Sequence, residues 1–190
     1  MSSVVIVSGL PRSGTSLVMA MLEAGGVPAL TDGRRPPDAD NPNGYRELDA
    51  VKHLATDATF LASADGRAVK IVVPLVRQLP VDPGLDFHVI MVERDLDEVL
   101  ASQAALIERK GLRPALAAAQ LKPALARQWE ESRRVLTQHP NVRLLVLNHR
   151  QILAQPAPTA TQIATFLPAS LDTVAMARVV DPRLYRQRMV

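Results

Sequence analysis

One stretch near the N-terminus, VVIVSGLPRSGTSLVMAMLEAGG (4–26), limits what this chain can fold into more than any other. Residues 4–7 are an apolar run led by β-branched side chains and too short for a helix, so they read as a buried strand. Gly9 to Gly14 is a turn closed by small residues. Thr15 to Ala24 is almost wholly apolar and of helical length, and Gly25-Gly26 is a natural stop. Strand, glycine-bounded loop and helix in that order make an anion cradle. The loop amides and the helix N-terminus point at one spot, where the helix dipole favours negative charge. A purely structural corner is the alternative reading, but packing alone gives no reason for Arg, Ser and Thr between and beside these glycines.

The rest of the chain supplies a core for that unit. At 190 residues it reads as one domain, 1–190, with neither an internal repeat nor a second boundary. Apolar residues make up 47% and charged residues 22%, which fits a globular chain. There is no cysteine, so disulfides, thiolate metal sites and a cysteine nucleophile are excluded. The four histidines (His53, His88, His139 and His149) show no metal-ligand spacing, and no metal is expected. A net charge of +3, scattered basic residues and 3% aromatics give little support to nucleic-acid binding. A site for a multiply anionic small molecule accounts for the same balance. Neither a signal peptide nor a membrane span is expected, and a cytoplasmic location is the expectation. Oligomeric state is not legible.

Further apolar runs at 68–73, 87–93 and 141–147 read as strands. Between and after them lie helical patterns. One begins at Arg46, with Leu48, Val51, Leu54, Ala55, Ala58 and Leu61 inward and Glu47 in its first turn. Another runs from about Leu96 to Arg109, with Asp95 as N-cap. A third covers 112–138, broken at Pro114 and Pro123, and a fourth 157–167. Residues 28–43 read as a long polar loop, a frequent place for function. Strands alternating with helices predict an α/β fold: P-loop NTPase-like, three-layer α/β/α, with a central, mainly parallel sheet.

The first loop nearly fits the phosphate-loop template G-x-x-x-x-G-K-[ST]. Gly9 and Gly14 are in place and Ser16 holds the hydroxyl position, but Thr15 stands where the lysine should be and the cation is Arg12. A nucleoside triphosphatase needs that lysine for the β/γ-phosphates. Arg12 suits a shorter 5′ group. Further on, Arg94 and Ser102 span a strand–helix junction eight residues apart. Two helical turns bring the serine to the strand end, where the pair can share a phosphate. PRSGTS at 11–16 resembles the 5′-phosphosulfate loop of sulfotransferases that use 3′-phosphoadenosine 5′-phosphosulfate (PAPS), in its bacterial arginine form. The Arg94-to-Ser102 segment resembles that family's 3′-phosphate motif, with Leu96 for the usual proline. NPNGYRE at 41–47 resembles a bacterial NP-x-GY/F-x-E stretch, and 148–156 resembles a Y-E-D-L-x-x-x-P scaffold segment without its acids.

The resemblance implies a small bacterial-type sulfotransferase. It would move a sulfuryl group from PAPS, leaving PAP, to a hydroxyl or amine of a small-molecule or carbohydrate acceptor. It implies a cofactor site of Arg12, Ser13, Gly14, Thr15, Ser16, Arg94 and Ser102. Lys70-Ile71-Val72-Val73-Pro74 resembles the K-T-H-x-P stretch of cytosolic members, which places Lys70 near the transferring sulfonate. A lysine at a strand end with its head in water is the other reading. Val72 stands at the histidine position and cannot move a proton. Glu47 is the expected base, with Asp49 and His53 next. Arg12, Glu47 and Lys70 are thus the expected catalytic residues. Arg183 or Arg186, in a tail that resembles x-D-P-x-L-x-R, is either a cofactor contact or surface. A P-loop nucleotide or small-molecule kinase, and a non-catalytic PAPS/PAP-binding domain, remain as alternatives.

Overall fold

The computed structural model describes residues 2–34, 38, 41, 44–112 and 118–184. Four parallel strands form its sheet: β1 (Ser2–Gly9), β2 (Ala68–Lys70), β3 (Leu85–Glu93) and β4 (Val142–Asn148), in the order β2-β1-β3-β4. Val7 pairs with Lys70, Gly9 with Val92, and Glu93 with Asn148, so all four carboxyl ends reach one edge of the sheet. After β1 the chain goes to β2 on one side and then crosses to β3 on the other. In open α/β sheets the crevice beyond the strand ends at such a reversal is where ligands bind.

Strands buried on both faces read as continuous apolar runs, and these do. Val5, Val7, Ile90 and Val92 point to one face. There they pack with residues of four helices: α1 (Thr15–Ala24), and the later α4 (His149–Ala154), α5 (Pro156–Phe166) and α6 (Thr173–Arg178). Val4, Ile6, Phe87, Val89 and Met91 point to the opposite face. Short 3₁₀ helices and Leu136 of α3 (Ala118–Gln138) cover them. The result is the expected three-layer α/β/α arrangement. The remaining helix, α2 (Leu96–Arg109), has the bounds its signals indicate, because the Asp95 carboxylate accepts from the amides of Asp97 and Glu98.

Three local expectations need correction. The pattern from Arg46 does not make one helix. Residues 44–48 have no regular secondary structure, and 3₁₀ helices follow at Asp49–His53 and Thr59–Ala64. Arg46 has φ +48°, which breaks helical geometry at its start. Asp57 then draws the amide and hydroxyl of Thr59 to its own carboxylate, at 2.9 and 2.6 Å, competing with helix bonding. Val51, Leu54 and Leu61 are still buried, whereas Ala55 is exposed. The second strand stops at Lys70, although the amides of Ile71 and Val73 still bond to the carbonyls of Val7 and Gly9. Pro123 lies inside α3 instead of breaking it. Pro114 and Arg186 fall outside the described residues.

Candidate functional site

The phosphate-type loop closes β1 and opens α1 at the crevice. Its two glycines are required. A Cβ on Gly9 (φ +156°) would lie 2.5 Å from Ser13 Oγ and 2.8 Å from the Val92 carbonyl. One on Gly14 (φ +105°) would lie 2.4 Å from His149 Cδ2. The Leu10 carbonyl accepts the Ser13 amide, and the Gly14 carbonyl accepts those of Leu17 and Val18. The amides of Thr15 and Ser16, in the first turn of α1, have no carbonyl within the helix to bond. Ser13 Oγ is buried and without a hydrogen-bond partner among the described residues. An oxyanion above the loop would supply acceptors for such donors.

Arg12, within the loop, has φ +72°, and its guanidinium Nε donates to Ser102 Oγ of α2 at 3.0 Å. This bond ties the first sequence motif to the second. Arg94 stands just beyond the end of β3. Its Nη1 donates to the Arg12 carbonyl at 2.9 Å, and its Nε to Glu98 Oε2 at 3.0 Å. Glu98 is 1% exposed, and its Oε1 also accepts from Arg150 at 2.9 Å. Ser102 therefore pairs with Arg12, while Arg94 buttresses the backbone that carries Arg12. Beside them is a polar cleft of about 400 Å³, lined by Glu93, Arg94, Asp95, Leu96, Glu98, Asn148 and Arg150.

Sequence reasoning passed over His149, Glu98 and Asn41. The His149 ring, at the start of α4, is buried against Gly14. Burial, helped by the positive charge of Arg94, lowers its pKa to about 4 and keeps the ring neutral. Glu98 lies in the second motif, four residues after Arg94. That spacing signals a close pair, but not the second partner, Arg150 of α4. Asn41 belongs to the NPNGYRE stretch, in which the sequence reading gives a role to Glu47 alone.

On the other side of β1, Lys70 is buried, with 5% of its side chain exposed. Its ammonium donates to the Tyr45 carbonyl and lies 3.6 Å from Glu47 Oε1. Lys70 is thus not a water-facing strand-end lysine. Glu47 is 46% exposed and sits in irregular chain, not in a helical turn. Its carbonyl is held by Thr31 Oγ1 at 2.8 Å. Arg46, just before it, pairs with Glu23 of α1. Asp49 faces Lys52 and Arg34, at 2.6 and 3.1 Å, and the Lys52 ammonium holds its carboxyl below the usual range. His53 is exposed. Arg183 is 90% exposed and pairs with Asp181.

Among the described residues there is no group of three His, Cys, Asp or Glu placed to hold a metal, and no helix long and apolar enough to cross a membrane. No family model matches the chain. No curated protein matches it either. Solved structures do. The sulfotransferase domain of the Synechococcus PCC 7002 olefin synthase is 16% identical, with TM-score 0.57 over 99% of this chain and 88% of that one. Mouse sulfotransferase SULT7A1, complexed with PAP, is 16% identical with TM-score 0.54, over 97% of this chain and 64% of that one. The sulfotransferase domain from the curacin biosynthetic pathway is 11% identical with TM-score 0.53, over 100% and 92%. The fold is therefore that of sulfotransferase domains: an all-parallel sheet between helical layers with a phosphate-type loop after its first strand.

Proposed function

We propose that the chain is a PAPS-dependent sulfotransferase acting on a hydroxyl or amine of a small-molecule or carbohydrate acceptor. The single observation that carries this reading is the Arg12–Ser102 bond, which brings the 5′-type loop and the 3′-type motif to one crevice. The residues present fit a phosphoanion. Glycines stand where a Cβ would collide with Ser13 or His149, and the buried Ser13 hydroxyl has no partner among the described residues. Thr15 and Ser16 offer first-turn amides and hydroxyls. The likeness of fold to a sulfotransferase complexed with PAP supports the same reading.

PAPS would supply an activated sulfuryl group, carried on the phosphate that leaves with PAP. Arg12 and the loop amides would hold that phosphate and offset the charge it gains. Lys70, already desolvated, would stabilise charge on the equatorial oxygens of the sulfuryl group. Glu47, the exposed carboxylate beside Lys70, would take the acceptor's proton as the new S–O or S–N bond forms. Arg94 and Ser102 would serve the 3′-phosphate, Arg94 partly through the backbone that it holds.

The test is turnover with radiolabelled PAPS and a panel of phenols, alcohols, amines and sugars. Glu47→Gln keeps size and polarity but removes proton affinity. It should lower kcat by about 10²-fold or more while PAP affinity stays within about twofold. Wild-type turnover by Glu47→Gln would remove Glu47 as the base.

A further inference from the structure

Asn41 lies against the one residue of the loop, Ser16, that occupies the metal-ligand position of a nucleoside triphosphatase. Its Nδ2 donates to Ser16 Oγ at 3.0 Å and to the Gly44 carbonyl at 2.7 Å. The Gly44 carbonyl can only accept, so it fixes which end of the Asn41 amide faces both atoms. The backbone holds Asn41 in place: its amide reaches Asp38 Oδ1 at 2.9 Å, and its carbonyl accepts from the Gly44 amide at 3.0 Å. Tyr45 Oη in turn donates to the Asp38 carboxylate at 2.8 Å. Both amide hydrogens of Asn41 are thereby used, one of them on Ser16.

A serine hydroxyl has one proton and two lone pairs. The Asn41 N–H occupies one lone pair and presents the positive end of its dipole to Oγ. Both effects oppose a cation at that oxygen and leave the Ser16 proton to be donated elsewhere. We infer that Asn41 is a specificity-determining residue of the anion cradle. It converts the hydroxyl that other phosphate loops give to Mg²⁺ into a proton donor, so that the loop takes a phosphoanion without a divalent cation. This rests on the reading of the loop as an anion site, and deepens it.

The test is calorimetry of two probes, PAP and inorganic pyrophosphate, each in EDTA and in Mg²⁺. Wild type should bind PAP equally under both conditions, within about twofold. Asn41→Ala should bind about 5- to 20-fold more weakly in EDTA, the loss expected for one oriented hydrogen bond to an anion, and should recover part of that loss with Mg²⁺, because the Ser16 lone pair is then open to the ion. Ser16→Ala should lose a similar factor. The double variant should lose no more than the worse single one, because the two residues act as one donor. Asn41→Asp should bind weakly in EDTA and regain about tenfold or more with Mg²⁺, since a carboxylate beside a hydroxyl suits that ion. Additive losses in the double variant, Mg²⁺-indifferent Asn41→Asp, or wild-type binding that Mg²⁺ tightens about tenfold would each overturn the inference. If PAP shows no preference over pyrophosphate, the sulfotransferase reading fails, while the pyrophosphate measurements still decide the role of Asn41. A wild type that binds neither probe overturns both.

Discussion

Two arginines in the left-handed backbone region, Arg12 and Arg46, stand on opposite sides of the site and are held in different ways. Arg12 is fixed from the interior. Arg94 of β3's end grips its carbonyl, Glu98 of α2 grips Arg94, and Arg150 of α4 closes on the same carboxylate. Arg46 is fixed near the surface. Its partner Glu23 is 36% exposed, and the neighbouring Glu47 is 46% exposed. In both cases a desolvated cation from a strand end binds a carbonyl at or beside the strained residue, Arg94 at Arg12 and Lys70 at Tyr45. Rigidity thus falls on the Arg12 side, proposed to hold the cofactor, and adjustability on the Arg46 side, proposed to face the acceptor. Buried charge networks resist opening, whereas exposed pairs are screened and readily exchanged.

Breaking the buried side should have the largest effect. Glu98→Ala leaves Arg94 without its carboxylate in a buried setting, and should cost about 3–5 kcal/mol of folding stability. Guanidinium denaturation measures it. A cost below about 1 kcal/mol would mean that Glu98 behaves as a surface pair and that the two sides do not differ.

Next comes the pH response of the same side. His149 has its pKa lowered to about 4 by burial and then by Arg94. An unfolded histidine takes up its proton near pH 6.5, the folded one only near 4, so the unfolded state binds more protons in between. The contribution of His149 is therefore complete above about pH 6.5 and is lost as pH falls towards 4. It amounts to about 3 kcal/mol over that window. Unfolding free energies measured from pH 7 to 4 should fall less steeply in His149→Asn than in wild type. Identical slopes would show that the ring protonates freely.

The smallest stability effect belongs to the Arg46 side. Glu23→Gln should cost under about 1 kcal/mol in folding, because its pair is partly exposed. Turnover should nevertheless drop, since the strained residue that it holds precedes Glu47. Unchanged turnover in Glu23→Gln would detach Arg46 from the placing of Glu47.

The same contrast explains what could be read from sequence. β1, β3 and α2 were legible because apolar runs and the Asp95 cap act locally. The parallel sense of the sheet and the two glycines of the loop also followed from pattern, whereas the strand order did not. The segment after Arg46 was misread, since its apolar spacing suits a helix and only the backbone turn at Arg46 and the Asp57 side chain prevent one. Positive φ at an arginine carries no sequence signature. Glu98, His149 and Asn41 were missed for a related reason: each acts through a partner far away in the chain, 52 residues in the case of Arg150 and Glu98. Arg94 was found, but its hold on the Arg12 carbonyl was not, because a side chain's backbone partner is fixed only by the fold.

The central claim is that this crevice reads a nucleotide with anions at both its 5′ and 3′ positions. Calorimetry comparing PAP with AMP tests it most directly. A charged 3′ contact is worth about 2–4 kcal/mol, so PAP should bind about 30- to 1,000-fold more tightly than AMP. Equal affinity for the two would contradict the account.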